Sequence, residues 1–223
     1  MAKNAFEISD VLSIGWKGFK NNAVIFVALA ILGFVAGLII NTFFSFLPYA
    51  VTLILSMAIS SYFMLSLTRA SLIAANGGIV DWNILKNDST TYIKFLIVTV
   101  LFSLIITIGM MLLILPALFL GAVFFPVSYI IAEKSDTPIA EVFAKSWRIA
   151  IPQIWQLLVL AIVCVIIAFF GFLALIIGTF VAAPVIYIAL AAVYKKLEGG
   201  SVDAVPAAPA ANETEKTINS LIK

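Results

Sequence analysis

The chain alternates long apolar runs with short polar stretches. The runs cover about residues 23–46, 49–72, 92–114, 117–132, 153–171 and 173–194. None shows the period-two alternation of a membrane β-barrel strand. A run of about 20 apolar residues crosses the hydrocarbon core of a bilayer as a helix. In lipid, only a helix pairs all its backbone N–H and C=O groups within one segment. The pattern therefore predicts an all-α membrane protein with six transmembrane helices arranged as three hairpins. The first run breaks at Leu47-Pro48, the third ends near Pro116, and the short fourth run carries Pro126 inside it. The last two runs form one stretch roughly twice the length of a single crossing, and Gly171 is the expected turn between them.

The polar segments before the spans have their own pattern. Ile8-Ser9-Asp10-Val11-Leu12-Ser13-Ile14-Gly15-Trp16-Lys17 lines up with Ile139-Ala140-Glu141-Val142-Phe143-Ala144-Lys145-Ser146-Trp147-Arg148. Ile, Val and Trp are identical, acid matches acid, and Lys matches Arg. In the second copy Ile139, Val142, Phe143, Trp147 and Ala150 recur at helical spacing, with Glu141, Lys145 and Arg148 on the other face. Thr137-Pro138 is an expected helix start. These features predict amphipathic helices at about residues 6–20 and 138–150, lying at the membrane interface before spans one and five. Asp81-Trp82-Asn83-Ile84-Leu85-Lys86 has similar composition in poor register, and suggests a third such helix at about 79–91 before span three. A six-span membrane domain then occupies residues 1–198. Residues 199–223, opening with Gly199-Gly200-Ser201, read as a flexible Ala/Pro-rich cytoplasmic tail.

Charge sets the orientation. The chain carries 13 Lys and Arg and 11 Asp and Glu, and under the six-span reading all of them fall on one side. By the positive-inside rule that side is the cytoplasm, which places both termini there. Five or seven spans would scatter the charges. The basic start and Ala28-Leu29-Ala30 mimic a signal peptide, but Ala28 lies too early in the apolar run, so the segment reads as an uncleaved first span.

Composition agrees with the membrane class, at 64% hydrophobic and 11% charged. Soluble domains carry about a quarter charged residues. The net charge of +2 does not point to nucleic acid. With no His and a single Cys, Cys164, no zinc, haem or iron–sulfur centre is expected, and no cofactor. Ser60, Ser61 and Ser66 lie in span two with nothing at membrane depth to activate them. No acid, base or metal-ligand cluster lies within a span, which argues against proton-coupled pumps and ion channels but leaves open a carrier of neutral molecules.

Leu115-Pro116, Pro126-Val127, Ile130-Ile131-Ala132-Glu133-Lys134, Thr137-Pro138-Ile139-Ala140-Glu141 and Ser146-Trp147 carry a resemblance, joined by Phe6-Glu7-Ile8-Ser9-Asp10-Val11-Leu12 and Gly15-Trp16. Over about residues 6–196 the chain resembles a broad family of bacterial six-helix membrane proteins. These are similar to the membrane domain that some glycerophosphoryl diester phosphodiesterases carry ahead of their catalytic domain. The matching motifs are packing and capping motifs, and no stretch here is long enough to hold the phosphodiesterase barrel. The resemblance therefore implies a fold and no catalytic residue.

Two functions follow as expectations. The first is a non-enzymatic inner-membrane scaffold or lipid-interacting accessory protein. Trp16 and Trp147 would sit at headgroup level, with Lys17, Lys145 and Arg148 on anionic phosphates. Plain anchoring of the next span is the blander account of the same residues. A protein partner and a homo-oligomer fit this expectation too. The second is a small transporter of an uncharged or amphipathic molecule, hinged at the candidate kinks Pro126 and Pro184. Small residues at Gly33 and Gly37, Ser56 and Ser60, and Gly178 and Ala182 suggest close helix contacts, within the chain or across a dimer.

Overall fold

The computed structural model describes residues 6–44, 46–112, 114–173 and 175–200. Among these there is no strand, and six helical stretches are long and apolar enough to cross a membrane. The chain is thus that of a multi-pass membrane protein. Its helices are α1 (Ile8–Phe43), α2 (Tyr49–Ala75), α3 (Ser89–Leu112), α4 (Ile114–Phe124), α5 (Pro126–Glu133), α6 (Ile139–Ala150), α7 (Ile154–Leu173) and α8 (Leu175–Leu197). Short 3-10 turns lie at Trp82–Leu85 and Ile151–Gln153.

Neighbouring helices close a ring in the order α1, α2, α3, α4, α7, α8, and α8 packs back on α1. Inside it, α2, α5 and α8 touch one another. Among the described residues, Leu65 and Ala70 of α2, Ile130 and Ile131 of α5, and Ile188 and Tyr194 of α8 are fully buried. The core therefore sits toward the end where α2, α5 and α8 terminate, which is also the charged end. Toward the other end the helices present Phe34, Leu38, Ile108, Phe169 and Phe170 outward, as surfaces for lipid. Lipid tails are as apolar as these side chains, so helix association there depends on close packing and hydrogen bonds.

Backbone approach supplies that packing. An added Cβ at Gly15 would lie 2.7 Å from the Val185 carbonyl oxygen, and one at Gly18 would lie 3.1 Å from the Ala74 carbonyl oxygen. Gly171 is not a turn. It lies buried inside α7, which runs on to Leu173, and its added Cβ would sit 2.6 Å from Ala182 Cβ. An uninterrupted apolar stretch carries no polar punctuation, so a packing glycine and a turn glycine look alike in it. Buried hydroxyls in α2 are satisfied by their own helix: Ser66 donates to Tyr62 O at 3.1 Å, Thr68 to Met64 O at 2.8 Å and Ser71 to Thr68 O at 2.7 Å.

The two candidate kinks differ in their place. Pro126 opens α5 directly after α4, because it has no N–H to donate one turn back. Pro184 lies inside α8. Another irregularity comes from a residue other than proline: α1 departs from helical backbone at Asn22 (φ −127°, ψ 20°), so the Trp16-bearing start and the first span form one bent helix.

Candidate functional site at the charged end

The segments Ile8–Asn22 and α6 share one plan. At a constant offset, Val11 and Val142, Gly15 and Ser146, and Phe19 and Ala150 are buried in pairs. The pairing continues into the spans with Phe26 and Leu157, then Leu29 and Leu160. Trp16 and Trp147 are both half-exposed, at 46% and 48%. Trp16 stacks on Phe19 and lies under Lys20 Nζ at 5.2 Å, while Trp147 lies 6.1 Å from the Phe124 ring. Each segment then bends into its span, at Asn22 and at the 3-10 turn Ile151–Gln153.

The second helix of each pair also ends alike. Gly77 and Gly199 take left-handed φ values of 78° and 84°. Gly78 N–H donates to Ile73 O at 2.9 Å, and Gly200 N–H to Lys195 O at 3.0 Å. These are matching Schellman caps, in which glycine meets no Cβ penalty. Gly199 and Gly200 therefore close α8. The remaining tail expectation, residues 201–223, lies outside the described residues.

The expected third amphipathic helix at 79–91 is replaced by a built loop. Its only helical part before α3 is the 3-10 turn Trp82–Leu85. Asp81 accepts from Trp82 N–H at 2.7 Å and from the Asn83 side chain, and Asp88 accepts from Thr90 and Thr91 N–H. Carboxylates that capture nearby backbone N–H groups start new turns and interrupt a continuous helix. The loop is tied down by Asn22. Its amide nitrogen donates to Gly18 O at 3.1 Å and Gly78 O at 3.2 Å, and its oxygen accepts from Val80 N–H at 2.7 Å. Tyr62 donates to Leu85 O.

The expected lipid-contact residues divide. Arg148 and both Trp rings are exposed, and Lys17 is half-buried with no carboxylate partner among the described residues. Lys145 is held differently. It pairs with Glu198, which also faces Lys134 at 3.9 Å, so its charge is directed inward to the end of α8. Its sequence neighbour Glu141, one turn away, is left exposed. Nearby, Glu133 receives Lys195 and the Tyr194 hydroxyl, the latter at 3.0 Å, and Asp10 lies 3.9 Å from Lys196. The expected cap from Thr137 is absent as well: α6 starts after Pro138 with no side-chain cap.

These pairs clasp α5, α6, α8 and the start of α1 together. Burial alone would push the Glu198 carboxyl up, but the hydrogen bonds from Lys145 and Tyr194 and the charges of Lys145 and Lys134 outweigh it and hold it below the usual carboxylate range. A carboxyl lowered on folding adds stability above its unfolded value and loses it as pH falls through its folded value. The clasp is therefore expected intact at neutral pH and progressively lost at acid pH, as the carboxyl takes up its proton. Glu198→Gln should cost about 1 kcal/mol at pH 7, and the gap between variant and wild type should narrow at acid pH. Unfolding in detergent micelles at neutral and acid pH measures both. A variant as stable as wild type at pH 7 would show that the clasp contributes nothing.

The structure also holds an apolar cavity of about 340 Å³ between α3, α4 and α7, lined by Ile106, Gly121, Leu160 and Cys164 among others. Among the described residues, no three His, Cys, Asp or Glu side chains come together as a metal site. No protein-family model, curated protein or solved structure matches the chain.

Proposed function

We propose that this protein is a non-enzymatic scaffold or lipid-interacting accessory of a bacterial inner membrane. It would be built as three helical hairpins with both termini in the cytoplasm, and its charged end would meet anionic headgroups. The observation that carries this reading is the pair of repeated segments, each with one buried Val, one half-exposed Trp and a basic residue beside it at the same end of the bundle. Tryptophan favours the headgroup region, where its apolar body and polar N–H are both accommodated, and Lys17, Lys20 and Arg148 add attraction for phosphates.

The alternative, a small transporter moving around Pro126 and Pro184, has less support. The space between α5 and α8 is filled by Tyr129, whose hydroxyl donates to Tyr187 O at 2.9 Å and whose ring stacks 5.8 Å from Tyr194. A carrier needs a vacant site at such a broken helix.

The test is native mass spectrometry of protein released from nanodiscs that contain anionic lipid. Trp16→Ala with Trp147→Ala should reduce retained anionic lipid or partner severalfold while the chain still inserts. Equal retention in the double variant and wild type would remove the main support for this reading.

A further inference from the structure

We propose that the groove between the end of α2, the 79–86 loop and α5 is a binding site for a phosphate-bearing lipid headgroup, with Arg69 as its anchor. The proposal rests on the reading that the charged end meets anionic headgroups, and it names a groove that neither Trp16 nor Trp147 lines. The groove has a volume of about 440 Å³ and is lined by Arg69, Asp81, Lys86 and the apolar side chains of Leu72, Ile79 and Ile84. That size falls within the range of pockets that hold small molecules, about 300–1,000 Å³.

Arg69 is half-buried, and among the described residues it has no carboxylate partner. One of its nitrogens donates to the Asn87 side-chain oxygen at 3.1 Å, and Asn87 in turn donates to the Ser66 hydroxyl at 2.9 Å. This chain of neutral groups orients the guanidinium without neutralising it. Four of its five N–H donors are left for a ligand, in the fork that matches phosphate oxygens two at a time. Lys86 supplies a second positive charge on the same groove. The one negative group, Asp81, is engaged by the N–H of Trp82 and the side chain of Asn83 in its own turn. The groove as a whole is positive.

Phosphate chemistry has two sources, a lipid headgroup and a soluble phosphate. Ile79 decides between them. It lines the same groove, stands 85% exposed in a loop at the charged end, and has Trp82, half-exposed, three residues on. An apolar side chain standing out beside a cationic groove suits a ligand whose phosphate continues into glycerol and acyl chains.

The experiment loads the full chain into phosphatidylcholine nanodiscs with and without phosphatidylglycerol and counts retained lipid by native mass spectrometry. Wild type is expected to hold one phosphatidylglycerol that Arg69→Gln and Lys86→Gln each retain about tenfold less well. Lys86 is exposed, so its variant tests the site even where loss of Arg69 disturbs folding. Unchanged retention in the Lys86 and Arg69 variants would overturn the proposal. Displacement of the lipid by millimolar glycerol phosphate or inorganic phosphate would overturn the lipid as occupant and assign the groove to a soluble phosphate. The Trp16→Ala, Trp147→Ala protein is the separating arm. If it keeps the bound lipid while Arg69→Gln loses it, the groove stands and the Trp-based reading falls. The reverse pattern removes the groove and leaves that reading in place.

Discussion

Asn22→Leu is expected to destabilise the protein by about 3 kcal/mol and to free the 76–86 loop. Asn22 is almost fully buried at the bend of α1, and its amide serves three backbone groups: Gly18 O, Gly78 O and Val80 N–H. Leucine has nearly the same size, so packing changes little. What it removes is the partner of the buried Val80 N–H and of the half-buried Gly78 O. Each buried polar group left unpaired costs about 1–3 kcal/mol. The bend would also lose its cause, because the departure from helical backbone falls on Asn22 itself. Unfolding in mixed detergent micelles measures the stability, and hydrogen exchange at the Val80 amide measures the loop. A loss under about 0.5 kcal/mol, or a Val80 amide protected as in wild type, would show that the loop is held by other contacts. Since the loop carries Lys86 and Asp81, retention of phosphatidylglycerol should fall in the same variant.

Gly15→Leu is expected to have the largest effect on the helix ring, at about 3 kcal/mol or more, by pushing α1 away from α8. Even a Cβ at this position would stand 2.7 Å from Val185 O and 3.1 Å from Ala189 Cβ, and both belong to the neighbouring helix. Neither backbone nor a methyl group can rotate out of the way, so the helices must separate. Overpacking costs about 1–3 kcal/mol in well-packed cores, and in lipid no hydrophobic gain offsets lost contact between helices. Gly15→Ala should show a smaller loss of the same sign. Gly37→Leu is the control, since nothing lies within 4 Å of its added Cβ, and it is expected to be near neutral. Equal stabilities for the Gly15 and Gly37 variants would refute close approach as the force holding α1 to α8.

This contrast between glycines shows where sequence reasoning stopped. Gly33 and Gly37 form the recognisable small-residue spacing, yet Gly33 has only an ordinary contact with Phe63 at 3.6 Å and Gly37 has none. Among the glycines of α1, the close approaches are at Gly15 and Gly18, which make no such motif. A spacing rule states which residues share a face. It does not state which face meets a partner, because that depends on helices more than a hundred residues away. Lys145 is a similar case. Its position three residues before Arg148 suggested a shared phosphate-facing surface, but Glu198, fifty-three residues on, turns it inward. The Asn22 clamp was visible only as two asparagines ahead of an apolar run. One acceptor, Gly78 O, and the donor, Val80 N–H, lie in a loop that folds back from beyond span two.

By itself, the sequence determined the membrane class, the six spans and the duplicated Trp-bearing segments. Each of these depends on composition and on spacing within about twenty residues, and the cost of exposing polar groups to lipid enforces them locally. Tertiary structure alone decided the pairing of charges, the course of the 79–91 loop, the role of Gly171 and the groove around Arg69. Those features depend on side chains that meet across the ring of helices, where a long apolar stretch leaves every rotation equally compatible with lipid until packing and hydrogen bonds choose among them.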